Sequence, residues 1–345
     1  MKIVHVVRSL IINSGVSVFA GRMASAMAKA DETVSLRYTW LPELPVDESV
    51  DLKAFNSLDE LEFRPDVVHV HALWSMDMVK AMNWCRRNGV RYFVSPHGGL
   101  MPRVLNTGWL KKHLFYWLFL RKNLNGAAGI HCTGDGEVAA VKKLGIKART
   151  FVVPLGCDLP DMNVSCKKEN MVLFLSRLGE EKGLLYLLEA WKAIEHRGWR
   201  LILAGPDWEG FRSKLEDKIR SDQICDVSFF GQANEMQKSE LYCKARLFVL
   251  PSPVENFSMV VLDALAFGIP VICTKGTPWS EIQENGCGWW IEPASVSALK
   301  IALNAALGKS ESELAEMGRR GTKIAKKYSW DELARKLISI YSGAM

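Results

Sequence analysis

Two hydrophobic patterns alternate along the chain. Short runs rich in β-branched and aliphatic residues, such as KIVHVV at 2–7, give way to longer stretches with apolar positions every three or four residues, such as GVSVFAGRMASAMAKA at 15–30. The first pattern predicts buried strands and the second amphipathic helices. Further strands are predicted at DVVHVHA (66–72), RYFVSP (91–96) and AGIHCT (128–133). The series then restarts with MVLFLSR (171–177), WRLILAG (199–205), VSFFG (227–231), RLFVL (246–250) and PVICT (270–274). Strand–helix alternation predicts parallel sheets covered on both faces. Two such series predict an α/β protein of two doubly wound, Rossmann-like domains, residues 1–160 and 161–328. The polar CDLPDMNVSCKKEN (157–170) reads as the linker. Residues 329–345 read as an amphipathic helix that begins after Ser329 and crosses back to the first domain.

The length of 345 residues suits two domains, and 48% hydrophobic residues suit large cores. The net charge of +6 is uneven: residues 1–160 hold 20 basic and 14 acidic residues, the remainder 24 of each. MKIVHVV enters a strand at once with no leader pattern, and no apolar run approaches the roughly 18 residues of a membrane span, so a cytoplasmic protein is expected. Eight cysteines show neither C-x-x-C pairs nor metal-ligand spacing with histidine. Disulfides are allowed by the count, but the missing leader predicts reduced thiols. Neither G-x-G-x-x-G nor G-x-x-x-x-G-K-[ST] follows the first strand, which argues against dinucleotide and P-loop readings.

In open α/β sheets, ligands bind beyond the carboxyl ends of the strands. In PSPVENFSMVVLDALAFGIPV (251–271), Glu255 follows a strand end and Asp263 stands eight residues later, in a helix predicted to begin near Ser258. The free N–H groups at that helix start suit a phosphate. Glu255 would repel an anion there unless it points at sugar hydroxyls, and Asp263 can reach hydroxyls beside the phosphate. A solvated Glu255 and an Asp263 paired with a lysine fit the same spacing. SRLGEEKG (176–183) places Arg177 and Lys182 at another strand end, two cations suited to one diphosphate. Surface pairs with Glu180 and Glu181 are the alternative. Both motifs falling in one domain favours a ligand with phosphates and sugar hydroxyls.

On these motifs the chain resembles the retaining glycosyltransferases of family 4, with the GT-B fold of two Rossmann-like domains facing a cleft. SRLGEEKGLLYLLEAW resembles the donor-diphosphate motif. LILAGP, VSFFGQANEMQKSELYCKARLFVLPS, PSPVENFSMVVLDALAFGIPV and TPWSEIQENGCGWWIEP follow in family order. The resemblance implies a nucleotide-diphosphate sugar bound between the domains. Arg177 and Lys182 would hold the diphosphate and Glu255 the sugar hydroxyls. Backbone N–H groups of Phe257, Ser258, Met259 and Val260 would contact sugar and phosphate, and Asp263 would bond the ribose. Three positions depart from the pattern: Asp263 replaces the usual Glu, and Asn256 and Ser258 stand where glycines are common.

The first half resembles the acceptor domain. INSGVSVFAGRMA looks like its glycine turn, with Ser14 in place of the first of two glycines and Gly15 free to let backbone approach the donor phosphate. SPHGGLMPRVL matches a subset whose histidine sits at the reaction centre, which makes His97 the catalytic candidate, against the plainer reading of a lone structural histidine. His69, His71 and His131 read as strand residues with local partners. Residues 78–134 contain no acidic residue and nine basic ones, with GWLKKHLFYWLFLRKNL (108–124) in the middle. Arg103, Lys111, Lys112, Arg121 and Lys122 among aromatics suit an anionic membrane surface and a lipid-linked glycan acceptor. A nucleic-acid partner is not expected, nor a cofactor, and there is no D-x-D suggesting a metal. The alternative is that LFYWLFL is core and the lysines a solvated face. The expected activity is retaining, metal-independent transfer from a UDP- or GDP-linked sugar by an enzyme peripheral on the inner membrane face. A nucleotide-sugar epimerase and a non-catalytic membrane-associated assembly protein are the rival readings.

Overall fold

The computed structural model describes residues 1–345 except 12–13, 161–166, 197, 256 and 344–345, together with the side chains of Leu41 and Arg103. Its described residues form two compact units, Met1–Gly156 with Trp330–Met345, and Cys157–Ser329.

In the first unit the strands are β1 (Lys2–Leu10), β2 (Thr33–Pro42), β3 (Asp51–Ala54), β4 (Val67–His71), β5 (Arg91–Ser95), β6 (Gly129–Cys132) and β7 (Thr150–Val152). They make one parallel sheet in the order β3-β2-β1-β4-β5-β6-β7. Strand order reverses between β1 and β4. The two faces pack separate cores, one including Val68, Val70, Met82 and Leu120, the other Phe19, Met23, Leu36 and Tyr341. The terminal helix Trp330–Ser342 packs on the second face beside the helix Gly15–Lys29, burying Trp330, Leu333, Leu337 and Tyr341.

The second unit holds β8 (Glu169–Leu175), β9 (Arg200–Ala204), β10 (Val227–Gly231), β11 (Ala245–Leu250), β12 (Val271–Thr274) and β13 (Gly288–Ile291). They form a parallel sheet in the order β10-β9-β8-β11-β12-β13. The reversal lies between β8 and β11, and the strands at the centre are almost wholly apolar and buried. Continuous apolar strands are what a parallel sheet covered on both faces requires.

One expectation is overturned. Cys243 is disulfide-bonded, whereas Cys85, Cys132, Cys157, Cys225, Cys273 and Cys287 are free thiols. Pairing depends on Cβ atoms brought within about 4 Å by the fold, which sequence spacing does not reveal. No described helix is long and apolar enough to cross a membrane.

Candidate functional site

The second unit brings its two charged motifs together at the reversal of strand order, the crevice where doubly wound sheets bind ligands. The chain leaves β8 through Arg177 and a single turn, Glu180–Lys182, into the helix Leu184–Lys192. It leaves β11 through residues 251–258 into the helix Met259–Ala266. Two glycines allow the close approach: Gly183 brings the loop after β8 against the loop after β11, and Gly276, just past β12, brings a third loop against that same stretch. Gly183 has φ 71°, and a Cβ there would stand 2.4 Å from the Pro251 carbonyl oxygen. A Cβ on Gly276 would stand 1.8 Å from the Pro253 oxygen, and the Gly276 carbonyl accepts from the Glu255 N–H at 2.9 Å.

The result is a contact across 73 residues of sequence: Lys182 Nζ donates to Glu255 Oε1 at 2.6 Å, with side chains only 12% and 15% exposed. A surface pair between Lys182 and its neighbouring glutamates is therefore not what forms. Arg177 does pair with Glu181, at 3.4 Å, and its guanidinium lies 4.5 Å from the Trp208 ring centroid. Glu180 pairs instead with Lys214. Trp208, just past the end of β9, is uncharged and lies outside the charged motifs that mark the site in the sequence. Its N–H donates to the Leu178 carbonyl, which fixes the loop beneath Arg177.

Ser258, the residue before the helix Met259–Ala266, has φ 66° and a buried hydroxyl with no partner among the described residues. The left-handed backbone explains why glycine is common there, since a Cβ is strained in that region. Asn256 lies outside the described residues. Phe257 packs on Trp279 and Tyr328, and its carbonyl accepts from Trp279 Nε1. Met259 and Val260 are half-buried in the first turn, where the helix offers their N–H groups no carbonyl four residues back, while the Val261 N–H donates to the Ser258 carbonyl at 3.0 Å. Asp263 is half-buried, and its carboxylate makes no hydrogen bond or ion pair among the described residues, although its backbone carbonyl accepts from the Phe267 N–H. Burial pushes its carboxyl up to about 7, with Lys238 opposing the rise and Glu235 and Asp158 adding to it. Lys238 bonds Glu235 rather than Asp263, so the lysine-partner reading of Asp263 does not hold.

In the first unit, parallel register sets His5 of β1 beside His69 of β4, and His71 lies two residues further on the same face. All three are fully buried, as is His131. His97 follows β5 with φ 48°, half-buried, and its loop is clamped by the Glu137 carboxylate, which accepts from the N–H groups of Gly98 and Thr133. His97 Nε2 lies 3.1 Å from His71 Nδ1, and His71 Nε2 lies 2.9 Å from His5 Nδ1. Tyr341 and Ser95 take the two nitrogens of His69, and Ser95 Oγ reaches His131 Nδ1 at 2.6 Å. The nitrogens of His5, His69 and His71 cluster closely enough to hold a metal ion. Each of the six is already engaged in a hydrogen bond, and no carboxylate is among them to offset a dication's charge. Burial holds all five imidazoles neutral, with His97 lowered to about 3. Gly15 opens the helix Gly15–Lys29, and a Cβ there would meet open space.

The stretch 108–124 forms a helix interrupted by one π-helical turn, Tyr116–Leu120. Tyr116 and Leu120 are buried, but Leu110, Leu114, Trp117 and Leu118 are 60–72% exposed. The reading of this run as core is thus corrected: the π turn and helical spacing send only part of it inward. Lys111 and Lys122 are exposed, Arg121 lies over the Trp117 ring, and Lys112 donates to the Val104 carbonyl. The side chain of Arg103 lies outside the described residues.

Residues 160–324 match the family described as glycosyl transferases group 1, and residues 14–156 match the glycosyl transferase 4-like domain. The chain belongs to the GT4-type glycosyltransferases and has their GT-B fold. It is 30% identical over 180 residues to an uncharacterized glycosyltransferase of Methanocaldococcus jannaschii, covering 51% of this chain and 46% of that protein. It is 25% identical over 305 residues to D-inositol 3-phosphate glycosyltransferase of Corynebacterium urealyticum, covering 80% and 71%. The fold also matches HepE of Anabaena, solved in complex with UDP, with TM-score 0.76 and 16% identity over 99% of this chain and 100% of that one. The chain thus spans about half the length of the first of these relatives and under three quarters of the second.

Proposed function

We propose that the protein is a retaining glycosyltransferase that takes a sugar from a UDP- or GDP-linked donor and passes it to a lipid-linked, cell-surface glycan. The observation that carries this reading is the Lys182–Glu255 contact beside the helix start at Ser258. A cation and a carboxylate meet there, beside a helix start whose Ser258 hydroxyl is buried with no partner among the described residues. That combination suits a diphosphate next to sugar hydroxyls and nothing simpler.

In this reading Lys182 turns from Glu255 to the diphosphate when donor binds, and Arg177 joins it from its seat on Trp208. Glu255, released, accepts from the sugar hydroxyls. The backbone at Phe257, Ser258, Met259 and Val260 contacts sugar and phosphate, and Gly15 leaves room for the phosphate. Asp263 holds a ribose hydroxyl; with its carboxyl near 7 it can either accept or donate at neutral pH. Charge develops on the leaving diphosphate, and preorganised cations and N–H groups stabilise it there without a metal. His97, neutral, positions the transferred sugar and stabilises its developing positive charge; it is not a committed base.

Incubation with a panel of UDP- and GDP-sugars, without acceptor, tests this. Slow release of free sugar and nucleotide from one donor is expected. A new sugar isomer with nucleotide still attached would replace the reading by an epimerase, and no turnover of any donor would favour a non-catalytic assembly role.

The acceptor side rests on the exposed stripe of Leu110, Leu114, Trp117 and Leu118, flanked by Lys111, Lys112, Arg121 and Lys122, with Arg103 nearby in sequence. Aromatics with basic neighbours suit the anionic inner face of a membrane. Each cation near such a surface contributes about 1 kcal/mol. Binding to anionic but not neutral vesicles is expected, weakened by salt. Changing Lys111, Lys112, Arg121 and Lys122 together to Glu should abolish it and leave nucleotide binding intact. If the unmodified protein ignores anionic vesicles at low salt, the acceptor is a soluble one.

A further inference from the structure

The imidazole of His97 is the outer end of a hydrogen-bonded file that runs into the core. His97 Nε2 meets His71 Nδ1 at 3.1 Å, His71 Nε2 meets His5 Nδ1 at 2.9 Å, and His5 Nε2 meets the Met27 sulfur at 3.4 Å. Every ring in the file is neutral, so each has one N–H and one lone pair. A file of such rings can point in only two directions, and its ends decide which.

The inner end accepts only. A thioether has no proton to give, so His5 satisfies Nε2 by donating from it. His5 Nδ1 is then an acceptor, and His71 must donate to it from Nε2. His71 Nδ1 is in turn an acceptor, and His97 must donate to it from Nε2. The lone pair of His97 is left on Nδ1, the nitrogen with no partner among the described residues. In the reverse direction a ring lone pair would face the lone pairs of sulfur in a fully buried position.

A second file on the same sheet face obeys the same logic and does not compete with the first. His131 Nε2 donates to the Val153 carbonyl at 2.7 Å, Ser95 Oγ donates to His131 Nδ1, His69 Nε2 donates to Ser95, and Tyr341 donates to His69. All of its members are satisfied in that one direction. His69 therefore has no free nitrogen with which to redirect His71 or His5.

We propose that His71, His5 and Met27 are positioning residues that hold His97 as its Nε2–H tautomer, with the Nδ1 lone pair presented outward. Met27 sits near the end of the helix Gly15–Lys29, far along the chain from SPHGG, and acts only through the two histidines between. The effect on turnover rests on the reading that His97 acts at the reaction centre; the tautomer itself does not.

Nitrogen-15 NMR of the histidine-labelled full chain tests this, because protonated and bare ring nitrogens resonate far apart. In the unmodified protein His97 should carry its proton on Nε2. Met27→Leu keeps the volume and removes the acceptor, so a population of the Nδ1–H form should appear at His97. In the same variant kcat with the donor should fall about tenfold while KM holds. A proton on Nδ1 of His97 in the unmodified protein would overturn the proposal without any variant. So would a Met27→Leu spectrum with the tautomer unchanged. If the spectra behave as expected but no nucleotide sugar is ever turned over, the function proposed above has failed and the file still stands.

Discussion

Lys182→Ala is expected to lower donor turnover by roughly 10²-fold or more, the scale of losing one preorganised transition-state donor. The reason is geometric. Lys182 Nζ sits 2.6 Å from Glu255, 12% exposed, where the loops after β8 and β11 meet. A charge held there needs little reorganisation when the diphosphate departs. Removing it also leaves the Glu255 carboxylate in a partly buried place without its cation, where it repels the donor. Arg177→Ala should follow in the same direction with a smaller loss, because Arg177 is 46% exposed and held by Trp208 and Glu181. Steady-state kinetics on the donor found in the panel would measure both. Unchanged turnover in Lys182→Ala would remove the diphosphate assignment.

The second large effect is expected at a residue with no charge. Gly183→Ala forces a Cβ into the left-handed region and to within 2.4 Å of the Pro251 carbonyl oxygen. The backbone strain costs roughly 1–2 kcal/mol, and the overpacking roughly another 1–3 kcal/mol. For a unit of this size the melting temperature should fall by roughly 5–15 °C. Gly210 provides the control. It has φ 73° but nothing within 4 Å of its would-be Cβ, so Gly210→Ala incurs the strain alone. The difference between the two melts isolates the contact between the loops. Nucleotide affinity should also drop in Gly183→Ala and hold in Gly210→Ala. Equal melts and equal affinities would mean that this approach of backbone to backbone does not assemble the site.

Much of the fold was legible because its central strands are short continuous apolar runs between amphipathic helices. Four strands were not. β2 carries Ser35 and Arg37 in buried positions, and both donate to the carboxylate of Asp51 in β3, which is itself short and half-exposed. β7 and β13 lie at sheet edges with no fully buried residue. At the site, Arg177, Lys182 and Glu255 stood out as charges just past strand ends, and Asp263 as an acid in the helix that follows. That Lys182 meets Glu255 did not, because the meeting depends on Gly183 and Gly276 letting separate loops touch. The histidine file was hidden for a related reason. HVH in β4 shows two histidines on one face, but only the register of β1 against β4 brings His5 to them. Polar residues in a strand read as isolated until their cross-strand partners are known.

The measurement closest to the central claim is a calorimetric titration of UDP and of GDP into the unmodified chain and into Lys182→Ala, side by side. Saturable, exothermic binding of one nucleoside diphosphate is expected in the unmodified protein, weakened in the variant by at least tenfold. Binding that is equal in the two, or no binding of either nucleotide to the unmodified protein, would contradict a diphosphate site built on Lys182.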